Sequence, residues 1–123
     1  MPSVKQKRGQ RAEDLAEAFL DREGYTVIAR NWRGAGVEID RIAWDKDVLC
    51  FVEVRMRSRD DYGLPLETVN RRKQSRIVRG AAAFCQARGV TAMVRFDVVS
   101  VSVSKETGKP NVAVIKNAFD AGW

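Results

Sequence analysis

The sequence has no histidine, only two cysteines, three prolines, and no apolar run approaching the roughly 18 residues of a membrane span. Without histidine there is no Ser-His-Asp or Cys-His nucleophile, no histidine-ligated zinc and no imidazole proton shuttle. Any catalysis must rest on carboxylates, lysine or arginine, backbone groups and a metal held through oxygen. Cys50 and Cys85 lie far apart among apolar neighbours. They make neither a disulfide framework nor a zinc site and read as buried free thiols, which suits a reducing cytoplasm. The basic stretch from Met1 to Gln10 is not followed by an apolar segment, so it does not read as a secretory signal. The expectation is a soluble, cytoplasmic protein.

What is present is globular. Of 123 residues, 45 % are hydrophobic and 31 % charged, and 22 Lys+Arg against 16 Asp+Glu leave a net charge of +6. The length fits one domain with a real core. Residues 1–8 read as a flexible basic arm. Helical spacing of Ala12, Leu15, Ala16, Phe19 and Leu20 predicts a helix from about Gly9 to Glu23, stopped by Gly24. Strands are predicted over Tyr25–Trp32, Val37–Trp44, Val48–Arg57, Met93–Val103 and Val112–Ile115, with a second helix over Val69–Arg88 and a loop over 58–65. The order α-β-β-β-α-β-β predicts an α/β domain on a mixed sheet whose central strands come from a hairpin.

The apolar pattern breaks in an informative place. One face of the second hairpin strand carries Leu49, Phe51, Glu53 and Arg55, so it starts apolar and turns charged midway. Glu38 and Asp40 share a face with Ile42 on the first strand and show the same switch. A two-residue loop at Lys46-Asp47 would set Asp40 opposite Glu53, and Glu38 opposite Arg55. Facing carboxylates repel unless a positive charge lies between them, and a hard divalent cation held by oxygen supplies one. The alternative is a surface ladder pairing Glu38 with Arg55 and Asp40 with another cation. On the first helix Glu13 projects about 100° round from Ala12, at the edge of the buried stripe. On the second helix Lys73 extends the stripe of Ile77, Ala81, Phe84 and Cys85. Its ammonium either snorkels to solvent or points at the hairpin carboxylates. Arg72, Arg76 and Arg79 line one flank. Residues 55–79 hold eight basic groups (Arg55, Arg57, Arg59, Arg71, Arg72, Lys73, Arg76, Arg79) against the acidic Asp60, Asp61 and Glu67. Arginines around carboxylates suit a polyanion backbone delivered to a metal site.

The strings Gln10-Arg11-Ala12-Glu13-Asp14-Leu15-Ala16, Gly24-Tyr25, Arg30-Asn31-Trp32-Arg33, Val37-Glu38-Ile39-Asp40-Arg41-Ile42, Phe51-Val52-Glu53-Val54-Arg55 and Arg95-Phe96-Asp97-Val98-Val99 closely resemble the YraN-type family of uncharacterised bacterial proteins. That family looks like a distant relative of archaeal Holliday-junction resolvases and of the PD-(D/E)XK nuclease superfamily. The resemblance implies a restriction-endonuclease-like core, with helices packed on a mixed sheet. It also implies an endonuclease dependent on Mg²⁺ or Mn²⁺, acting on DNA and on branched or structured DNA in particular. In that reading Asp40 is the motif aspartate, Glu53 the glutamate of the E-x-K element, Glu13 the helix-one glutamate, and the Val54 carbonyl completes the metal shell. Glu38 is a supporting carboxylate or an extra ligand, and Arg57, Arg72, Arg76 and Arg79 hold the nucleic acid. Arg55 departs from the pattern by standing where lysine is expected. Arginine supplies charge but cannot act as a base. Either Lys73 takes over the lysine's role or the site is a degenerate one in a nucleic-acid-binding protein. Resolvases cut two symmetric strands as dimers, so the resemblance leaves room for a homodimer.

Overall fold

The computed structural model describes residues 3–57 and 69–122. The loop expected over 58–65, together with Arg59, Asp60, Asp61 and Glu67 of the charge cluster, lies outside the described residues. Trp123 lies outside them as well.

Among the described residues, seven elements follow in the expected order: α1 (Val4–Arg22), β1 (Thr26–Gly34), β2 (Val37–Asp45), β3 (Val48–Met56), α2 (Arg71–Arg88), β4 (Met93–Val103) and β5 (Pro110–Phe119). The sheet runs β1-β2-β3-β4-β5, antiparallel throughout except for the parallel pair β3–β4. The chain returns to β4 beside β3 through α2, as a parallel crossover requires. This is an α/β fold, a mixed five-stranded sheet with two helices packed on it.

Two boundaries differ from expectation by more than a residue or two, each for a local reason. α1 begins at Val4 rather than Gly9, so residues 4–8, read as a flexible arm, are its first turn. The signal is Ser3, whose hydroxyl accepts from the Gln6 N–H while the Gln6 side chain accepts from the Ser3 N–H. That capping box satisfies two N–H groups that would otherwise be orphaned. β5 runs to Phe119, well past Ile115, because Phe96 pairs with Phe119 across a bulge and the two rings stack 5.0 Å apart.

Successive residues of β3 feed opposite faces, and both faces are covered. Leu49 and Phe51 pack with Ile77, Ala81 and Phe84 of α2. Cys50 and Val52 pack with Ala12, Ala16 and Leu20 of α1. This explains why the strand reads as a nearly continuous apolar run. α2 sits close on β2 at Gly80, where an added Cβ would come within 3.1 Å of Ile39 Cδ1 and 3.3 Å of Val37 Cγ1. That close approach brings the N-terminal end of α2 over the open end of the hairpin. Among the described residues no helix is long and apolar enough to cross a membrane.

Candidate metal centre and its basic wall

The hairpin has the two-residue loop, with Lys46 in the left-handed region (φ 57°) and a register running from Asp45↔Val48 to Arg41↔Val52. One further step would set Asp40 against Glu53. The ladder stops there, because β2 turns over. Val37, Ile39 and Ile42 all enter the core under α2, whereas strict alternation would send Ile39 and Ile42 to opposite faces. Between them Arg41 goes to the α1 side and Asp40 reaches across to β3.

The consequence is a gap in the ladder that Asp40 partly fills. In a continued ladder the Val54 N–H would donate to the carbonyl of Ile39. It donates instead to Asp40 Oδ2 at 2.8 Å. Because the N–H and C=O of a strand residue point to the same edge, the Val54 carbonyl opens on this side too. The ladder also stops short of the Glu38–Arg55 pairing expected from the sequence. Glu38 turns towards β1, accepting from Asn31 at 3.2 Å and facing Arg33 at 3.6 Å, while Arg55 lies beside Ser100 of β4.

Glu53 is almost fully buried, and Lys73 Nζ reaches its Oε1 at 2.5 Å while the rest of the lysine side chain stays half-exposed. Of the two sequence alternatives for Lys73, the ammonium points at a hairpin carboxylate, with the side chain as a whole half-exposed. Asp40, Glu53 and Glu38 form one side of a cleft of about 430 Å³, and Asn70, Arg72, Lys73 and Arg76 form the other. Asn70 starts α2 at the cleft by accepting from the Lys73 N–H at 2.9 Å. The other two arginines named above lie elsewhere. Arg79 is exposed and outside the cleft lining, and Arg57 lines a separate groove beside α1.

Burial and the adjacent Glu53 charge push the Asp40 carboxyl up to about 7, with Glu13 adding to the effect and the Val54 N–H opposing it. A second full negative charge is poorly tolerated here without a cation. Glu13 itself is close by but engaged. Its Oε1 accepts from Asn31 Nδ2 at 2.6 Å and from Arg41 Nη1 at 2.9 Å. Among the described residues, no three His, Cys, Asp or Glu side chains are grouped closely enough to hold a metal. Asp40, Glu53 and the Val54 carbonyl remain as a donor set of hard oxygens. That set fits Mg²⁺ or Mn²⁺, which commonly take one or two protein carboxylates and fill their shell with water.

Arg41 is the residue that reading the sequence missed. It is 1 % exposed, yet it donates to Glu17 at 2.7 Å, to Glu13, and to the Asp40 carbonyl at 2.7 Å. Glu17 is held below the usual carboxylate range mainly by its hydrogen bond from Arg30, opposed by partial burial and reinforced by Arg41. The available signal was an arginine directly between Asp40 and the apolar stretch Ile42-Ala43-Trp44, where strand alternation denies it the face shared by Glu38 and Asp40. Asn31 was also missed as a site residue. It flanks Asp40 on β1 with φ 48°, a left-handed conformation that asparagine tolerates better than most residues.

A second buried polar group sits on the α1 face. Asp97 is fully buried and accepts from Tyr25 Oη (2.8 Å), Arg95 Nε (2.9 Å) and the Asn117 N–H (2.9 Å). Arg95 also reaches Asp45 at 2.7 Å. Burial and the Asp97 carboxylate drive the Tyr25 phenol far above its ordinary value. With these partners the cluster ties Tyr25, just before β1, to the ends of β2, β4 and β5.

The model of the uncharacterised protein family UPF0102 matches residues 12–101, which include Glu13, Asp40, Glu53 and Lys73. A UPF0102 protein of Desulforapulum autotrophicum is 42 % identical over 120 residues, covering 97 % of this chain and 98 % of its own. A UPF0102 protein of Desulfosudis oleivorans is 43 % identical over 123 residues, covering 98 % of this chain and 96 % of its own. One from Clostridium acetobutylicum is 38 % identical over 120 residues, covering 97 % and 98 %. With the family model spanning most of the chain and relatives aligned end to end, this chain belongs to the UPF0102 (YraN) family of uncharacterised bacterial proteins.

Proposed function

We propose that this protein is a divalent-metal-dependent endonuclease that hydrolyses phosphodiester bonds in DNA, with branched or structured DNA as its preferred substrate. The observation that carries the reading is the buried Asp40–Glu53 pair at the floor of a cleft whose far wall is Arg72, Lys73 and Arg76. Each of two adjacent buried carboxylates raises the cost of the other's charge, a cost that a bound cation would offset. Under an arginine-lined wall it suits a phosphate backbone approaching a cation.

Asp40, Glu53 and the Val54 carbonyl would hold Mg²⁺ or Mn²⁺, and Glu38, on the cleft rim, would accept from waters around it. When bound, the cation supplies positive charge to the scissile phosphate and acidifies the attacking water. Arg72 and Arg76 clamp phosphate oxygens, bidentately where the guanidinium plane allows. Lys73 is already oriented by Glu53 and stands beside the reacting phosphate, where its ammonium offsets developing charge. Arg55 contributes charge from β3. Glu13 joins the site only if it leaves Arg41 and Asn31.

One observation favours a second reading. Arg55 occupies the lysine position of the nuclease pattern, and Lys73, the lysine of the described cleft lining, is already paired with Glu53. The rival is a nucleic-acid-binding protein whose site is silent. The two separate in an assay of a labelled four-way junction, linear duplex, single-stranded DNA and RNA with Mn²⁺, Mg²⁺ or EDTA. A nuclease cleaves the junction with metal and loses cleavage about 100-fold or more, but not binding, in Asp40→Asn and Glu53→Gln. Steeply salt-dependent binding with no cleavage, even in Arg55→Lys, identifies the silent binder. No binding to any nucleic acid at low salt overturns both.

A further inference from the structure

Asn31 lies inside β1, between the pairs Arg30↔Arg41 and Trp32↔Ile39, and yet takes φ 48°. Ala35 and Lys46 also have positive φ, but they occupy hairpin loops, where such a backbone is ordinary. Within a strand it is costly for a residue with a Cβ and persists where surrounding contacts compensate. Here it turns Asn31 to the side that its neighbour Arg30 already faces. Arg30 meets Glu17 and Asn31 meets Glu13, both on α1, while Trp32 packs edge-on against Phe84 of α2.

The amide then lies between two carboxylates. Its Nδ2 donates to Glu13 Oε1 at 2.6 Å and to Glu38 Oε1 at 3.2 Å. Both partners are acceptors, so it is the nitrogen that faces them. The two acids are unequally held otherwise. Glu13 also accepts from buried Arg41 at 2.9 Å. Glu38 faces Arg33 at 3.6 Å, across a pair whose side chains are 41 % and 79 % exposed, so that attraction is weak. Glu38 is moreover a boundary residue. It lines both the Asp40–Glu53 cleft and a neighbouring groove of about 620 Å³ that contains Glu13 and Asn31.

We infer that Asn31 is a positioning residue of the metal centre: by clipping Glu38 to Glu13, it keeps Glu38 from becoming a third carboxylate ligand beside Asp40 and Glu53. This role presupposes the metal centre proposed above and sets its ligand count. Two carboxylates balance the two charges of Mg²⁺ or Mn²⁺ and leave positions for water and phosphate oxygen. A third overbalances that charge and fills one of those positions. An amide suits the task, because its NH₂ offers two donors to two carboxylates without a charge of its own.

Calorimetric titration of the full chain with Mn²⁺ tests this. Asn31→Gly accepts the left-handed backbone and deletes the clip. It should bind Mn²⁺ about fivefold or more tightly than wild type, because affinity for such ions rises with ligand charge. Adding Glu38→Gln should remove that gain, and should cost more binding in this background than beside Asn31. A merely structural role for Asn31 would loosen the site and weaken binding instead. Circular dichroism and melting temperature confirm that the variants fold. Independently of any variant, anomalous density in wild-type crystals soaked in Mn²⁺ should show Asp40 and Glu53 on the ion and Glu38 still on Asn31. Equal or weaker Mn²⁺ binding by folded Asn31→Gly overturns the inference. So does a gain that survives Glu38→Gln, or Glu38 bound directly to the ion in wild type. A wild-type chain that binds no Mn²⁺, or whose binding is undiminished in Asp40→Asn, overturns the metal centre itself and this role with it. Failure confined to Asn31 and Glu38 leaves the metal centre standing.

Discussion

Replacing Asp40 by asparagine should make the metal-free protein more stable, not less. Asparagine keeps an oxygen to accept from the Val54 N–H and gains an amide that can donate towards Glu53, so geometry is retained while one charge is removed. The Asp40 carboxyl is pushed from 3.8 to about 7 by burial and by Glu53. For an acid whose pKa rises on folding, the native state holds the extra proton between those two values. Stability therefore falls as pH climbs from about 4 to about 7 and levels off above. Three units at about 1.4 kcal/mol each set the scale at on the order of 4 kcal/mol, reduced by whatever relaxation the open cleft permits. Near pH 4, Asp40 is protonated in the native state, and wild type and Asp40→Asn should be nearly equal. Near pH 8, the variant should be more stable by a large part of that amount.

Urea denaturation of both proteins in EDTA across this range measures the difference directly. Mn²⁺ should reverse the ranking, because it stabilises only a protein that binds it. Parallel pH profiles for the two proteins would refute the reasoning. So would a variant less stable by the same amount at every pH, since either result means that the Asp40 charge is not strained in the native state.

The same charge predicts linked protons: Mn²⁺ binding near pH 6 should release close to one proton per ion, and almost none near pH 9. Calorimetry in buffers of different ionisation enthalpy reads this release. Arg41→Met should destabilise by about 3 kcal/mol, because Glu13, Glu17 and the Asp40 carbonyl lose a buried donor, with Glu17 partly rescued by Arg30. Urea midpoints should show the loss, and Arg41→Lys should recover only part of it. Tyr25→Phe should cost about 1 to 2 kcal/mol by leaving Asp97 one donor short, measured by thermal unfolding.

The elements of this fold were legible because their signals are local. Gly24 and Gly89 follow their helices, at φ 92° and 63°, and the alternation of β4 is read directly from Met93 to Val103. That Asp40 and Glu53 lie close together was also within reach, since a two-residue loop puts them at the same end of the hairpin. The ladder itself ends at Arg41↔Val52, however, and Asp40 reaches Glu53's neighbour Val54 from outside it. What period-two alternation cannot express is a strand that changes face. Glu38 was assigned to the same face as Asp40 and Ile42 on the assumption that β2 stays in its ladder. In the folded chain, Ile39 and Ile42 both go to α2, and Glu38 goes to β1. The turnover has a physical cause that lies far away in sequence: Arg41 is drawn under α1 by Glu13 and Glu17, 28 and 24 residues earlier. Once Arg41 is fixed there and holds the Asp40 carbonyl, the Asp40 carboxylate can meet the Val54 N–H only by displacing a ladder bond. The buried arginine is thus what opens the sheet edge, and the carboxylate pair exists because the edge is open. If so, Arg41→Met should let β2 zip further along β3 even where the protein stays folded. Slowed amide exchange at Val54, measured against unchanged exchange at Val52, would then separate this local closure from general loosening of the core.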